Sequence, residues 1–167
     1  MNNPVDMNFL KPFIDGTKHT LLIQCKTEVS HGKPYLKSKA NPQTRIDIAG
    51  IVGVFSSSFK GTICICFPEA TFLAFMEKML GEKYPEINDE VSDGAGELMN
   101  IIFGYAKKLL NETGHTLDKA LPSVISGENI RLNQMGNDPV IILPFESSVG
   151  NFQLEIGISQ NKENENV

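Results

Sequence analysis

The hydrophobic period of this chain changes along its length, and that change constrains the fold more than any other feature. Residues 45–67 and 140–158 are rich in Ile, Val and Phe at strand-like spacing, each interrupted by a turn containing serine and glycine. Between them, from Pro68 to Gly114, apolar residues recur at helical spacing. Two hairpins separated by helices predict an α+β fold, a single domain whose mostly antiparallel sheet, built from two hairpin units, packs against long helices.

The remaining elements fall around this frame. Phe13, Thr17, Leu21 and Cys25 recur at helical spacing, which predicts a first helix near residues 7–26 with Pro12 in its first turn. Residues 30–44 hold Gly32, Pro34 and Pro42 among polar residues and read as loop; the lysines from Lys33 to Lys39 and Arg45 read as a solvated connector. A helix from Pro68 buries Phe72, Phe75, Met76 and Met79 and stops at Gly81. The longest helix starts at Asn88 or Asp89, carries Glu90 in its first turn and Lys107 and Lys108 in its last turns, and ends before Gly114. Pro122 to Gly127 adds a short strand, and the polar residues 160–167 form a disordered tail outside the domain at 1–159. At an offset of 90 residues (145 − 55), Phe55, Ser57 and Ser58 align with Phe145, Ser147 and Ser148, compatible with a duplicated hairpin-plus-helix unit or with coincidence among turn serines.

Composition excludes several functions. Fifteen basic against twenty acidic residues give a net charge of −5, with no basic patch interleaved with aromatics, so nucleic acid is not an expected partner. Cys64 and Cys66 alternate with Ile63 and Ile65 and read as core packing, and His19, His31 and His115 have no neighbour at metal-ligand spacing. No apolar run reaches the length of a membrane span and residues 1–9 lack a signal pattern, so a cytoplasmic protein is expected, in keeping with unpaired thiols.

One helix face needs explaining. Val91, Ala95, Leu98, Ile102, Tyr105 and Leu109 form the stripe expected to meet the sheet, leaving Asp93, Gly96, Glu97, Asn100, Gly104 and Lys107 opposite. A glycine inside a helix costs about 1 kcal/mol relative to alanine and asparagine somewhat more than half of that, so this face is expensive for a merely solvated one. Close approach of another surface would account for it, with Glu97 and Asn100, at i and i+3, projecting side by side. A carboxylate beside a carboxamide suits orienting water and gripping a cation better than covalent catalysis. The spacing alone does not decide, because Glu163 and Asn166 repeat it in the tail, and plain surface polarity is the competing reading.

The segment Asp93-Gly-Ala-Gly-Glu97-Leu-Met-Asn100-Ile-Ile-Phe-Gly104-Tyr-Ala-Lys107, followed by Pro122-Ser-Val-Ile-Ser-Gly127, resembles the chemotaxis phosphatases of the CheC/CheX/FliY family, and most closely its CheX branch. Asp93, Glu97, Asn100 and Pro122 match the family pattern, and the order of elements is similar over residues 6–158. Only one copy of the motif sits on a plausible helix, as in CheX and unlike most CheC-type members. The resemblance implies hydrolysis of the aspartyl phosphate of a CheY-type response regulator, with Asn100 holding the attacking water and Glu97 contacting the regulator's phosphate-binding lysine. Asp93 would serve the edge of the interface or the local helix, and Gly96 and Gly104 would admit the partner's backbone. It also implies Mg²⁺ bound by the regulator with no cofactor of this chain's own, and a homodimer. Two other readings stay open: a non-catalytic module binding a regulator or motor protein through the same face, and, less favoured, a small-molecule sensor.

Overall fold

The computed structural model describes residues 6–40, 43–119, 121–133 and 138–161. In chain order these form α1 (Met7–Cys25), β1 (Val29–His31), β2 (Tyr35–Leu36), a 3-10 turn (Lys37–Lys39), β3 (Ile48–Phe55), β4 (Phe59–Phe67), α2 (Glu69–Leu80), α3 (Asp89–Glu112), β5 (Asp118–Lys119), β6 (Ser123–Ser126), β7 (Val140–Ser147) and β8 (Phe152–Gln160). All eight strands belong to one antiparallel sheet in the order β1-β7-β8-β4-β3-β5, with β2 also on β7 and β6 also on β3. The α+β expectation holds, and the two hairpins, β3–β4 and β7–β8, join through β4 and β8, with Ile63 opposite Ile156.

The hairpins are related in arrangement but not residue for residue. Phe145 is buried in the core, whereas Phe55, its partner at the 90-residue offset, is largely exposed on the other face of the sheet. An alignment out of step by one residue exchanges the two faces of a strand.

The helices start and stop where local chemistry dictates. Asp6 caps α1 by accepting from the Phe9 N–H at 3.1 Å, and Asn88 caps α3 by accepting from the Val91 N–H at 3.1 Å. Gly81 ends α2 in the left-handed region at φ 74°. Because α1 begins at Met7, Pro12 sits in its second turn and not its first. Residues 30–44 contain β1, β2 and the 3-10 turn, where loop was expected, and β5 adds a further short strand. At the other end, β8 continues through Gln160, the first residue of the polar tail, and the Asn161 side-chain amide donates to the Ser56 and Ser57 carbonyls. The rest of that tail, residues 162–167, lies outside the described residues.

All three helices cover one face of the sheet. Phe9, Phe13, Phe67, Phe72, Phe75, Phe103, Phe145 and Phe152 are buried between the layers, in the space where a ligand enclosed by sheet and helices would have to sit. On the other face Ile46, Ala49, Cys64 and Cys66 form a smaller cluster beside the fully buried Glu155, which pairs with Lys37 at 2.6 Å. Lys37 therefore lies over the sheet, not in a solvated connector. Burial pushes Cys25 up to about 11 and Cys64 up to about 12, so these thiols behave as apolar packing.

Candidate functional site

The site is built on α3, whose placement depends on one glycine beneath it. A Cβ on Gly50 of β3 would stand 2.1 Å from the Ala95 carbonyl oxygen, so only glycine lets the helix backbone come this close to the sheet. The buried residues of α3 are Val91, Ala95, Gly96, Leu98, Met99, Ile102, Phe103, Ala106 and Leu110. Relative to the expected stripe, this face is rotated toward Met99, Phe103 and Ala106, because β6 covers the helix on that side. Leu109 is only half-buried, and Tyr105 turns to α1, where its ring lies 5.0 Å from the His19 ring and against Gly16.

With α3 seated this way, Asp89, Asp93, Glu97, Asn100, Gly104 and Lys108 run along its outer face at helical spacing. All are exposed except Asn100, which is half-buried. The Asn100 Oδ1 atom is closed off from solvent and accepts no hydrogen bond from the described residues. A buried carbonyl left without a donor costs about 1–3 kcal/mol, so this amide is held ready at the expense of stability, with no structural bond to lose when a ligand arrives. The Glu97 carboxylate stands one turn away, exposed, with no ion pair among the described residues.

A groove of about 480 Å³ runs beside this stripe, lined by Asp89, Ser92, Asp93, Gly96, Glu97, Pro122, Ser123, Val124 and Ser126. Its far wall is β6 with the residues leading into it. Gly96 is spent on that wall: a Cβ there would meet Val124 Cγ2 at 3.2 Å and Pro122 Cβ at 3.6 Å. Gly96 thus makes room for β6 within this chain, while Gly104 has nothing within 4 Å of its Cβ position and keeps the outer face open. The structure therefore brings exposed Asp93, Glu97 and Gly104 and half-buried Asn100 onto one face and turns Gly96 toward β6. Among the described residues no group of three His, Cys, Asp or Glu side chains is placed to hold a metal ion.

The groove wall is held by a residue that the sequence pattern did not single out. Asp47, at the start of β3, accepts from the Glu69 N–H at 2.8 Å and the Asn129 N–H at 2.9 Å, and pairs with Arg45 at 3.0 Å. Its backbone carbonyl accepts from Gly127 N–H at 2.9 Å, just past β6. Burial works to raise the Asp47 pKa, but Arg45 and the two N–H donors outweigh it and hold the carboxyl below the usual carboxylate range. The only sequence signal for this hub is an Arg-x-Asp step at a strand start.

The family model for the chemotaxis phosphatase CheX matches residues 48–146. The CheY-P phosphatase CheX of Thermotoga maritima is 24% identical over 134 residues, covering 79% of this chain and 84% of that one. A CheC-like superfamily protein from Shewanella sp. PV-4 superposes with a TM-score of 0.85 at 36% identity, over 93% of this chain and 99% of that one. CheX of Borrelia burgdorferi, solved as a complex with CheY, BeF₃ and Mg²⁺, superposes with a TM-score of 0.76 at 26% identity, over 92% and 99% of the two chains. The family model spans more than half of the sequence, including all of α3 and β6, and on that ground the chain belongs to the CheX family of chemotaxis phosphatases.

Proposed function

We propose that this protein hydrolyses the aspartyl phosphate of a CheY-type response regulator, using the outer face of α3. The observation that carries the reading is the unpartnered Oδ1 of Asn100, half-buried in the middle of an otherwise exposed polar stripe. The Asn100 Oδ1 is covered in the free protein, so docking turns the amide outward, where it accepts a hydrogen bond from a water and aims it at phosphorus. The water oxygen bonds to phosphorus, the bond from phosphorus to the regulator's aspartate oxygen breaks, and inorganic phosphate leaves. Such a transfer asks the protein mainly for positioning and electrostatics. Glu97 reaches the regulator's phosphate-binding lysine, which its exposed, unpaired carboxylate suits. Asp93, one turn earlier, lies at the edge of the interface, and Gly104 admits the partner's backbone. Mg²⁺ belongs to the regulator, as the solved CheX–CheY complex of a relative 26% identical to this chain supports. The reaction takes place in the cytoplasm; no helix among the described residues is long and apolar enough to cross a membrane.

Decay of a phosphorylated CheY-type regulator should be accelerated by the protein and not by its Asn100→Ala variant, with a loss of about 10²-fold or more in kcat. The variant should still bind the regulator activated by beryllofluoride. Equal acceleration by both forms would remove Asn100 from the mechanism. Binding without acceleration by the native protein would favour a docking module instead.

The protein acts as a homodimer, since β6 at one edge of the sheet and β1 at the other leave backbone groups free to pair across a two-fold axis. Light scattering at micromolar concentration should give twice the 18.4 kDa chain mass; a monomer mass would rule the dimer out.

A further inference from the structure

Two large apolar side chains stand in the open on the two elements that flank α3. On the β6 side, Leu121 is 87% exposed and directly precedes Pro122, whose Cβ packs over Gly96. On the α1 side, Ile23 is 61% exposed. Its position follows from helix geometry. Pro12, Gly16, His19 and Ile23 lie on one stripe of α1, and Gly16 and His19 of that stripe contact Tyr105 of α3. The helices run antiparallel, because Phe9 meets His115, Phe13 meets Phe103 and Gly16 meets Ile102 and Tyr105. One turn beyond His19 toward the end of α1 therefore corresponds to one turn back from Tyr105 along α3, and helix geometry assigns exposed Ile23 to the height of half-buried Ile101.

We infer that Leu121 and Ile23 are docking anchors for the response regulator: two apolar contacts on the elements that flank α3, which fix how the phosphorylated face is presented to Asn100. This rests on the phosphatase reading and extends it, separating the residues that hold the partner from the one that directs the water. The occupant is a regulator surface, because the elements that carry both side chains border the helix that presents the acid-amide stripe. The carboxylates of Asp89, Asp93 and Glu97 along the same stripe favour a partner with basic groups between its apolar contacts. A second copy of this chain, itself at net charge −5, would set like charges against one another there. Truncating an apolar side chain that becomes buried on binding typically costs several-fold to tens of fold in affinity.

The experiment measures kcat and KM for dephosphorylation of a CheY-type regulator by the native protein and by Leu121→Ser, Ile23→Ser and the double variant. Direct binding of the beryllofluoride-activated regulator and thermal melting are recorded beside them. Each single variant should raise KM and the binding Kd about fivefold to tenfold, and the double variant by more than thirtyfold, with kcat within about twofold and Tm unchanged. Phe55→Ser, which removes a less exposed but larger apolar side chain from the opposite face of the sheet, should change neither constant. Unchanged KM and Kd in the Leu121 and Ile23 variants would overturn the inference while leaving the phosphatase reading intact. Variants that lower the oligomeric mass while their Kd for the regulator stays unchanged would overturn it in favour of self-association. A native protein that neither binds nor accelerates would sink the phosphatase reading itself, and the inference with it.

Discussion

Gly104 lies in the middle of the exposed stripe of α3, and nothing stands within 4 Å of the position its Cβ would take. Packing within this chain does not require it, and its φ lies outside the left-handed region that favours glycine. Alanine there should stabilise the helix by about 1 kcal/mol, from the difference in helix propensity. For a chain of this size that raises Tm by roughly 2–4 °C. The same methyl group stands on the face proposed to meet the regulator, so Gly104→Ala should lower kcat/KM while raising Tm. Gain in both would show that no backbone approaches Gly104. Gly96 is the contrasting case: its Cβ would press on Val124, and the space it leaves is already filled by β6.

At the scale of elements, the parts readable from sequence were those with enough length to show a period or a cap. The helices announced themselves through Asn88, Gly81 and the Phe72–Phe75–Met76 stripe, and the two hairpins through their alternation. Strands β1, β2 and β5 are two or three residues long, too short for alternation to register, and they exist because β7 and β3 offer edges to pair with. The outer face of α3 was legible for the same reason as the helix itself, since i, i+3 and i+4 spacing places Asp93, Glu97, Asn100 and Gly104 together whatever the rest of the fold. Which side of that helix would be covered was not legible. The burial of Gly96 and the turning of Tyr105 toward α1 depend on where β6 and α1 come to rest, and a helical period carries no information about neighbours brought in from elsewhere in the chain. Leu121 and Ile23 were invisible for a related reason: each looks like one ordinary apolar residue until the fold leaves it uncovered.

Across the whole molecule, Asp47 ties the core to the wall of the site. Its carboxylate holds the first N–H of α2 and the Asn129 N–H, its own carbonyl holds Gly127, and next to it the Ile46 carbonyl accepts from the Ile130 N–H at 2.7 Å. The segment that follows β6 is thereby pinned to the start of β3, and β6 with Pro122 stays pressed over Gly96. Because the native carboxyl titrates below its unfolded value of about 3.9, Asp47 contributes stability that is fully present above that pH and is lost as pH falls through the native pKa. Replacing it with asparagine keeps the volume but removes the charge and turns one acceptor into a donor facing N–H groups, so Asp47→Asn should lose about 2 kcal/mol at pH 7. Urea unfolding of both proteins from pH 7 down to pH 3 should show that difference constant down to about pH 4 and shrinking below it, as the unfolded carboxyl takes up its proton before the native one. A constant gap across the range would mean that the bonds from Asp47 act through shape and not charge. Since the residues freed by losing Asp47 are those that carry the β6 wall, the same variant should lose part of its phosphatase activity at temperatures where the native sheet and helices are still intact by circular dichroism.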